Sequence, residues 1–154
     1  MTDLAEQVII ALRGKSLATA ESCTGGGIGS MLTSVSGSSA VYKGGIISYT
    51  NEVKQQILNV PADLLSTKGA VSKEVAVAMA IGARSCLKAD VAVSTTGLAG
   101  PGGDDYGNPV GTVFVGYSDE KYCISREFHL SGDRESVRNQ AVCAALLLIL
   151  EHNR

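Results

Sequence analysis

Apolar residues recur along the chain with two different spacings, and the switches between them outline the fold. Leu4, Val8, Ala11 and Leu12 fall on one face of a helix that Asp3 can cap and Gly14 can stop. Residues 16–21 read as a short strand running into Ser22-Cys23-Thr24-Gly25-Gly26-Gly27. Residues 28–35 then read as a helix capped by Thr24 or a neighbour. The stretch 41–49 is rich enough in β-branched and aromatic residues for a strand, with Gly44-Gly45 marking a bulge. A helix over 51–58 stops at Asn59-Val60-Pro61, and another starts at Ser72 and runs over 73–88 with Val75, Met79 and Leu87 inward. Residues 90–95 form an apolar strand. Strands over 110–117 and 122–130 are separated only by Ser118-Asp119-Glu120-Lys121, the spacing of an antiparallel hairpin. A last helix covers about 133–152, and Asp133 can cap it. Strands alternating with helices predict an α/β protein, a three-layer α/β/α sandwich whose mixed, mostly parallel central sheet ends in a late antiparallel hairpin. With 154 residues and no repeat or linker, one domain over 1–154 is expected.

Composition narrows the classes of function. Thirteen basic residues against fifteen acidic ones leave a net charge of −2, too little to neutralise duplex phosphates, so no nucleic-acid partner is expected. Cys23, Cys86, Cys123 and Cys143 form no C-x-x-C pair and are joined by two histidines alone, so neither a metal nor a cofactor is expected. They read instead as reduced, buried, small apolar side chains of a cytoplasmic protein. The acidic start, Asp3 and Glu6, argues against a secretory address. The apolar run 144–150 is too short for a membrane span. Glycine is in excess, eighteen residues of 154, which calls for tight turns or close backbone approach in several places.

Candidate chemistry gathers where strands run into the glycine loops. In open α/β sheets these junctions lie at the carboxyl edge, where ligands bind, and free N–H groups at a helix start favour anions. The first loop fits no nucleotide fingerprint. Counting G-x-G-x-x from Gly25 lands on Ser30 and from Gly27 on Leu32, and no Gly-Lys-Ser/Thr follows. Ser22 is a candidate nucleophile that needs a base. Lys54, in the first turn or so of the helix after the second strand, reaches the same edge if the two strands run parallel. Desolvation and the positive end of its helix would both push it toward the neutral form. His129 and His152 carry no positional cue toward Ser22, and a Ser-His-Asp triad stands as the alternative. Cys23 should point to the opposite face of its strand and be buried under the sheet. In the second loop, Thr96 and the N–H groups of Gly97, Leu98, Ala99 and Gly100 could hold an oxygen ligand or an oxyanion. Arg134 and Arg138, four residues apart, share a face on the first turns of the last helix, where a bound anion such as phosphate would offset their conflict with the macrodipole. Each feature also has a plain structural reading, as a tight turn for the glycines and as solvated surface for Lys54 and the arginines.

Five segments in order, Thr19-Ala20-Glu21-Ser22-Cys23-Thr24-Gly25-Gly26, Ser48-Tyr49-Thr50-Asn51-Glu52-Val53-Lys54, Thr96-Gly97-Leu98-Ala99-Gly100-Pro101-Gly102-Gly103, Pro109-Val110-Gly111-Thr112-Val113 and Gly132-Asp133-Arg134 with Val137-Arg138, make the chain resemble the CinA C-terminal domain family, the nicotinamide-nucleotide amidases. The resemblance implies a three-layer α/β/α fold and hydrolysis of the carboxamide of nicotinamide mononucleotide, in pyridine nucleotide salvage. It also implies a serine nucleophile, a lysine base and a nearby tyrosine, matching Ser22, Lys54 and Tyr49. Tyr49 would then orient or relay the proton. The oxyanion would rest on amides of the turn at Gly25, Gly26 and Gly27 or of the second loop from Thr96 to Gly100. The phosphate would be held by Arg134 or Arg138 with glycine-loop amides, and Thr24 would help line the substrate site. The partner implied is a small nucleotide, with a homo-oligomer such as a dimer as the expected assembly. The chain is similar to the stand-alone form of the family, and Leu98 and Asp104-Asp105 depart from its usual loop. A nucleotide-binding module without catalysis, or an amidase for another small amide, are the rival readings.

Overall fold

Strand β1 (Leu17–Glu21) shows how the chain divides its apolar residues between two faces. Leu17 packs into one core, while Ala18 and Ala20, pointing the other way, pack into a second. Strand β3 (Val91–Gly97) does the same, with Val91 and Val93 on one side and Ala92 on the other. A strand buried on both faces needs helices above and below it. The computed structural model, which describes residues 2–154, supplies both layers.

Around β1 and β3 the sheet adds β2 (Tyr42–Ile47), β4 (Thr112–Ser118) and β5 (Cys123–His129), in the order β2-β1-β3-β4-β5. β1 pairs in parallel with β2 and β3, and β4 is antiparallel to both β3 and β5. Four strands therefore share one direction and β4 runs against them, giving the expected mixed α/β/α sandwich. On one face lie α1 (Thr2–Ala11), α2 (Gly27–Thr33) and α6 (Arg134–Asn153). Against the other pack α4 (Ala62–Lys68) and α5 (Lys73–Cys86), with α3 (Asn51–Gln56) leading in from β2. Among the described residues no helix is long and apolar enough to cross a membrane.

Several expectations change in detail. Between β2 and α5 there are two short helices, because Pro61 caps α4 rather than opening a loop; proline suits a helix start, where its missing N–H is no loss. Asp3 lies in the first turn of α1 and does not cap it, since that helix begins at Thr2. The register between β1 and β2 slips at Lys43, one residue before the expected Gly44-Gly45 bulge. The cysteines are all free, but Cys86 and Cys123 are exposed and Cys143 is half-buried, so only Cys23 fits the reading of buried apolar side chains.

The α5 face is lined with small residues, which lets the helix sit close to its neighbours. A Cβ on Gly82 would collide with the main-chain carbonyl of Leu58, and one on Gly116 with that of Ala76. We expect Gly82→Ala to lower stability by about 1–3 kcal/mol through overpacking, partly offset by about 1 kcal/mol of better helix propensity. A melting temperature equal to or above that of the parent protein would contradict the close approach.

Candidate active site

β1 ends at Glu21, and the chain crosses the carboxyl edge of the sheet at Ser22. The Ser22 N–H donates to Thr95 O at 3.0 Å, and the N–H of Ser48 donates to Glu21 O at 2.8 Å, so neighbouring strand ends fix where this residue sits. β2 stops at Ile47, two residues short of the expected end, and the freed segment turns into α3, capped by Thr50 accepting from the Val53 N–H at 3.3 Å. The turn aims two main-chain carbonyls inward at Lys54. Its Nζ lies 3.0 Å from Ser22 Oγ, 2.8 Å from Ser48 O and 3.2 Å from Tyr49 O.

Lys54 is 1% exposed, and no salt bridge reaches it among the described residues. Burial without a counter-ion pushes its pKa down to about 8. The helix dipole is not the cause. Lys54 stands in the last turn of the six-residue α3, the end that favours a cation, and desolvation prevails over it. A neutral amine has two hydrogens and one lone pair. The two carbonyls can only accept, so they take the hydrogens, and the lone pair is left facing the Ser22 hydroxyl. This geometry suits removal of a proton from serine.

Ser22 and Lys54 border a cavity of about 300 Å³. The second glycine loop forms one wall, through Gly97, Ala99 and Gly100, and Ala70 and Val71 form another. Thr96 also lines the cavity, and its hydroxyl donates to Ala70 O at 2.8 Å, tying the two walls together. Arg134 stands at the rim, held by Gly100 O at 2.7 Å and Tyr49 Oη at 3.2 Å. Asn51, Ala70 and Val71 were not anticipated. Asn51 opens the helix that carries Lys54, a signal the sequence did contain; Ala70 and Val71 arrive through α4, which had no strong period to reveal it.

Other expected residues make contacts different from those expected. Tyr49 borders the cavity but is 60% exposed with its hydroxyl at Arg134, and its contact with Lys54 is through the main-chain carbonyl, so its phenol does not meet Ser22 or Lys54. Thr24 is buried beneath the turn, bonded to Glu21 and Thr95, and does not border the cavity. Gly25 and Gly26 adopt φ of 57° and 103°, the left-handed turn that glycine permits, and they too lie outside the cavity lining. The N–H of Gly25 is spent on Ser22 O and that of Gly27 on Thr24 O. The N–H groups of Cys23, Thr24 and Gly26 make no main-chain hydrogen bond among the described residues. Arg138 holds the turn from below, donating to Cys23 O at 3.0 Å and Thr24 O at 3.2 Å, so of the two arginines it is Arg134 that borders the cavity.

The start of α2 is not an open anion cradle. Glu21 fills it, accepting from the N–H groups of Ile28 and Gly29 at 2.8 and 3.0 Å. Cys23 corrects a second expectation. It borders the cavity with Ser22, because the chain has left the strand and alternation no longer holds, and burial pushes its thiol up to about 11. The histidines are remote. His129 lies on the far edge strand against Glu127, and His152 stacks on Tyr117, so the triad alternative has no histidine at this cavity. No cluster of metal-ligating side chains exists among the described residues.

Fold and site together define an α/β/α domain with a buried serine–lysine pair at the carboxyl edge of its sheet. A family model described as the CinA C-terminal domain matches residues 1–152, and the chain belongs to this family. It is 45% identical over 149 residues to the Nicotinamide-nucleotide amidohydrolase PncC of Escherichia coli strain K12, covering 95% of this chain and 90% of that protein. It is 50% identical over 133 residues to a CinA-like protein of Geotalea daltonii, covering 86% of this chain but 32% of that one. The chain thus spans about a third of the length of this and other curated CinA-like relatives that it matches. Among solved structures, the competence/damage inducible protein CihA of Agrobacterium tumefaciens superposes with a TM-score of 0.95 at 38% identity, covering 99% of this chain and 95% of that one. The competence damage-inducible protein A of Klebsiella pneumoniae gives a TM-score of 0.95 at 34% identity, covering 97% and 94%.

Proposed function

We propose that the chain, acting as one domain, hydrolyses the carboxamide of nicotinamide mononucleotide to nicotinate mononucleotide and ammonia through an acyl-enzyme on Ser22. The observation that carries this reading is the 3.0 Å approach of Lys54 Nζ to Ser22 Oγ in a buried setting that shifts the amine toward its neutral form. The relationship to the E. coli amidohydrolase, over nearly the whole of both chains, supports the substrate.

Ser22 Oγ attacks the amide carbon as its proton passes to Lys54. The carbonyl oxygen becomes an oxyanion, and the N–H of Cys23, which borders the cavity beside the nucleophile and makes no main-chain hydrogen bond among the described residues, is the donor proposed for it. Collapse of the tetrahedral intermediate breaks the C–N bond, and Lys54 returns its proton to the departing nitrogen, which leaves as ammonia. A water then gives its proton to Lys54 and attacks the ester, and Ser22 recovers its proton as the carboxylate product leaves. Tyr49 takes no part in proton transfer and orients Arg134 instead.

The rim position of Arg134 makes it the residue for the substrate phosphate. Arg134→Ala is expected to raise KM for the mononucleotide by roughly tenfold or more, from loss of a charge-assisted hydrogen bond, with a much smaller effect on the riboside. Ammonia release from nicotinamide, its riboside and its mononucleotide, measured on the parent and variant proteins, tests both the substrate and this role. Equal turnover of all three would remove the phosphate from the reading; no release from any of them would remove the activity. A place in pyridine nucleotide salvage within a reducing, cytoplasmic compartment follows from the same reading, and four free cysteines are consistent with it.

A further inference from the structure

We propose that Glu21 is a positioning residue for the nucleophile, its buried carboxylate setting the turn that presents Ser22 to the cavity. The inference rests on Ser22 being the nucleophile. Glu21 is 2% exposed at the end of an otherwise uncharged strand, and among the described residues no salt bridge neutralises it. Burying a carboxylate without a cation is costly unless hydrogen bonds replace its water. Here three do. Oε1 accepts from Thr24 Oγ1 at 2.6 Å and from the Ile28 N–H at 2.8 Å, and Oε2 accepts from the Gly29 N–H at 3.0 Å. A side chain at Gly29 would press on the Tyr42 hydroxyl, 2.7 Å from its Cβ, and approach Oε2 at 3.6 Å, so glycine keeps this corner open.

The carboxylate also sets the direction of a longer chain of bonds. A threonine hydroxyl has one hydrogen, and that of Thr24 is committed to Glu21, an acceptor when ionised. In the 2.8 Å contact between Thr24 and Thr95 hydroxyls, Thr95 must therefore be the donor. The main-chain oxygen of Thr95 in turn accepts from the Ser22 N–H. Glu21 thus links the start of α2, the side chain at 24 and the end of β3, three points that enclose the turn carrying Ser22. It does not border the cavity and makes no bond to Lys54, so it acts through the turn and not on the proton.

The variants follow from the bond pattern. Glu21→Gln can keep one oxygen toward Thr24 and Ile28, but its amide nitrogen then faces the Gly29 N–H, donor against donor. Thr24→Val removes the hydroxyl with little change of shape, and Thr24→Ser restores it. Two readouts are taken on each purified protein: the rate at which a small fluorophosphonate modifies Ser22, followed by intact mass, and kcat and KM for nicotinamide mononucleotide across pH. We expect Glu21→Gln and Thr24→Val to slow both modification and kcat by about tenfold or more, since small displacements of a reacting group have effects of this order or larger. KM should stay within about threefold and the pH midpoint should not move, because the binding groups and Lys54 keep their own partners. Thr24→Ser should return to within about threefold of the parent, having regained its hydrogen bond.

A role confined to stability would lower the melting temperature while leaving modification and kcat per folded molecule unchanged, and that result overturns the inference. So does a Thr24→Ser variant as slow as Thr24→Val. If Glu21→Gln does not fold, the Thr24 pair decides alone. Should the parent protein resist modification at Ser22 and release no ammonia, the nucleophile assignment falls and Glu21's role with it. A reactive parent with equally reactive variants removes only the role of Glu21.

Discussion

Ser22→Ala is expected to reduce kcat for ammonia release by about 10³-fold or more while the protein stays folded and still binds the mononucleotide. The change deletes one oxygen and introduces no bulk. Binding should survive because the cavity walls and Arg134 owe nothing to the hydroxyl. The rate should not, because without Oγ no acyl-enzyme can form, and an unactivated water would have to attack the amide directly. What remains would come from polarising and positioning groups alone. The neighbouring Cys23 thiol should not substitute, since at about 11 its pKa leaves little thiolate at neutral pH. Near-normal turnover by Ser22→Ala together with an inactive Cys23→Ala would transfer the nucleophile to the cysteine. Near-normal turnover by both variants would end the covalent mechanism.

Lys54→Met should lower kcat/KM by about 10²–10⁴-fold, the usual contribution of a positioned general base. Methionine replaces a buried amine with an unbranched side chain of similar length, which relieves desolvation but leaves two carbonyls unmatched; the two effects oppose, so a large drop in melting temperature is not expected. The pH profile is the sharper readout. A lysine that must be neutral to accept a proton, with its pKa pushed down to about 8, makes kcat/KM of the parent rise through that pH and level off above it. The variant should lose this limb. A parent profile flat from neutral to alkaline pH would show that Lys54 is not the base. Stability follows the same shift. The folded pKa lies below that of a free lysine, about 10.4, so the burden of a buried cation is absent above that value, grows as pH falls toward 8 and is complete below it.

The approach of Ser22 to Lys54 was legible from rules of topology. A strand-loop-helix junction puts a residue at the carboxyl edge, and two parallel neighbouring strands bring two junctions together. The helices with clear caps, α5 behind Ser72 and α6 behind Asp133, were equally legible, because each cap accepts from the N–H three residues on. Other features depend on contacts that no local pattern encodes. Glu21 looks like the last residue of a strand until the fold shows that its carboxylate reaches seven and eight residues ahead to the start of α2. Arg134 and Arg138 share a helix face, and only the packing of α6 reveals that one meets the cavity and the other the underside of a turn. Tyr49 is the reverse case. Its position in the segment drew attention to the phenol, yet its contact with the lysine is made by an atom that every residue type possesses.

That last point bears on how the optimum of such a protein could be shifted by engineering. The carbonyl oxygens of residues 48 and 49 persist whatever side chains stand there, so exchanging those residues leaves the amine's acceptors in place. Retuning must act on hydration, by admitting solvent around the amine or by setting a fixed charge within its field. A carboxylate placed there would move the working range toward higher pH, and a second cation would move it lower.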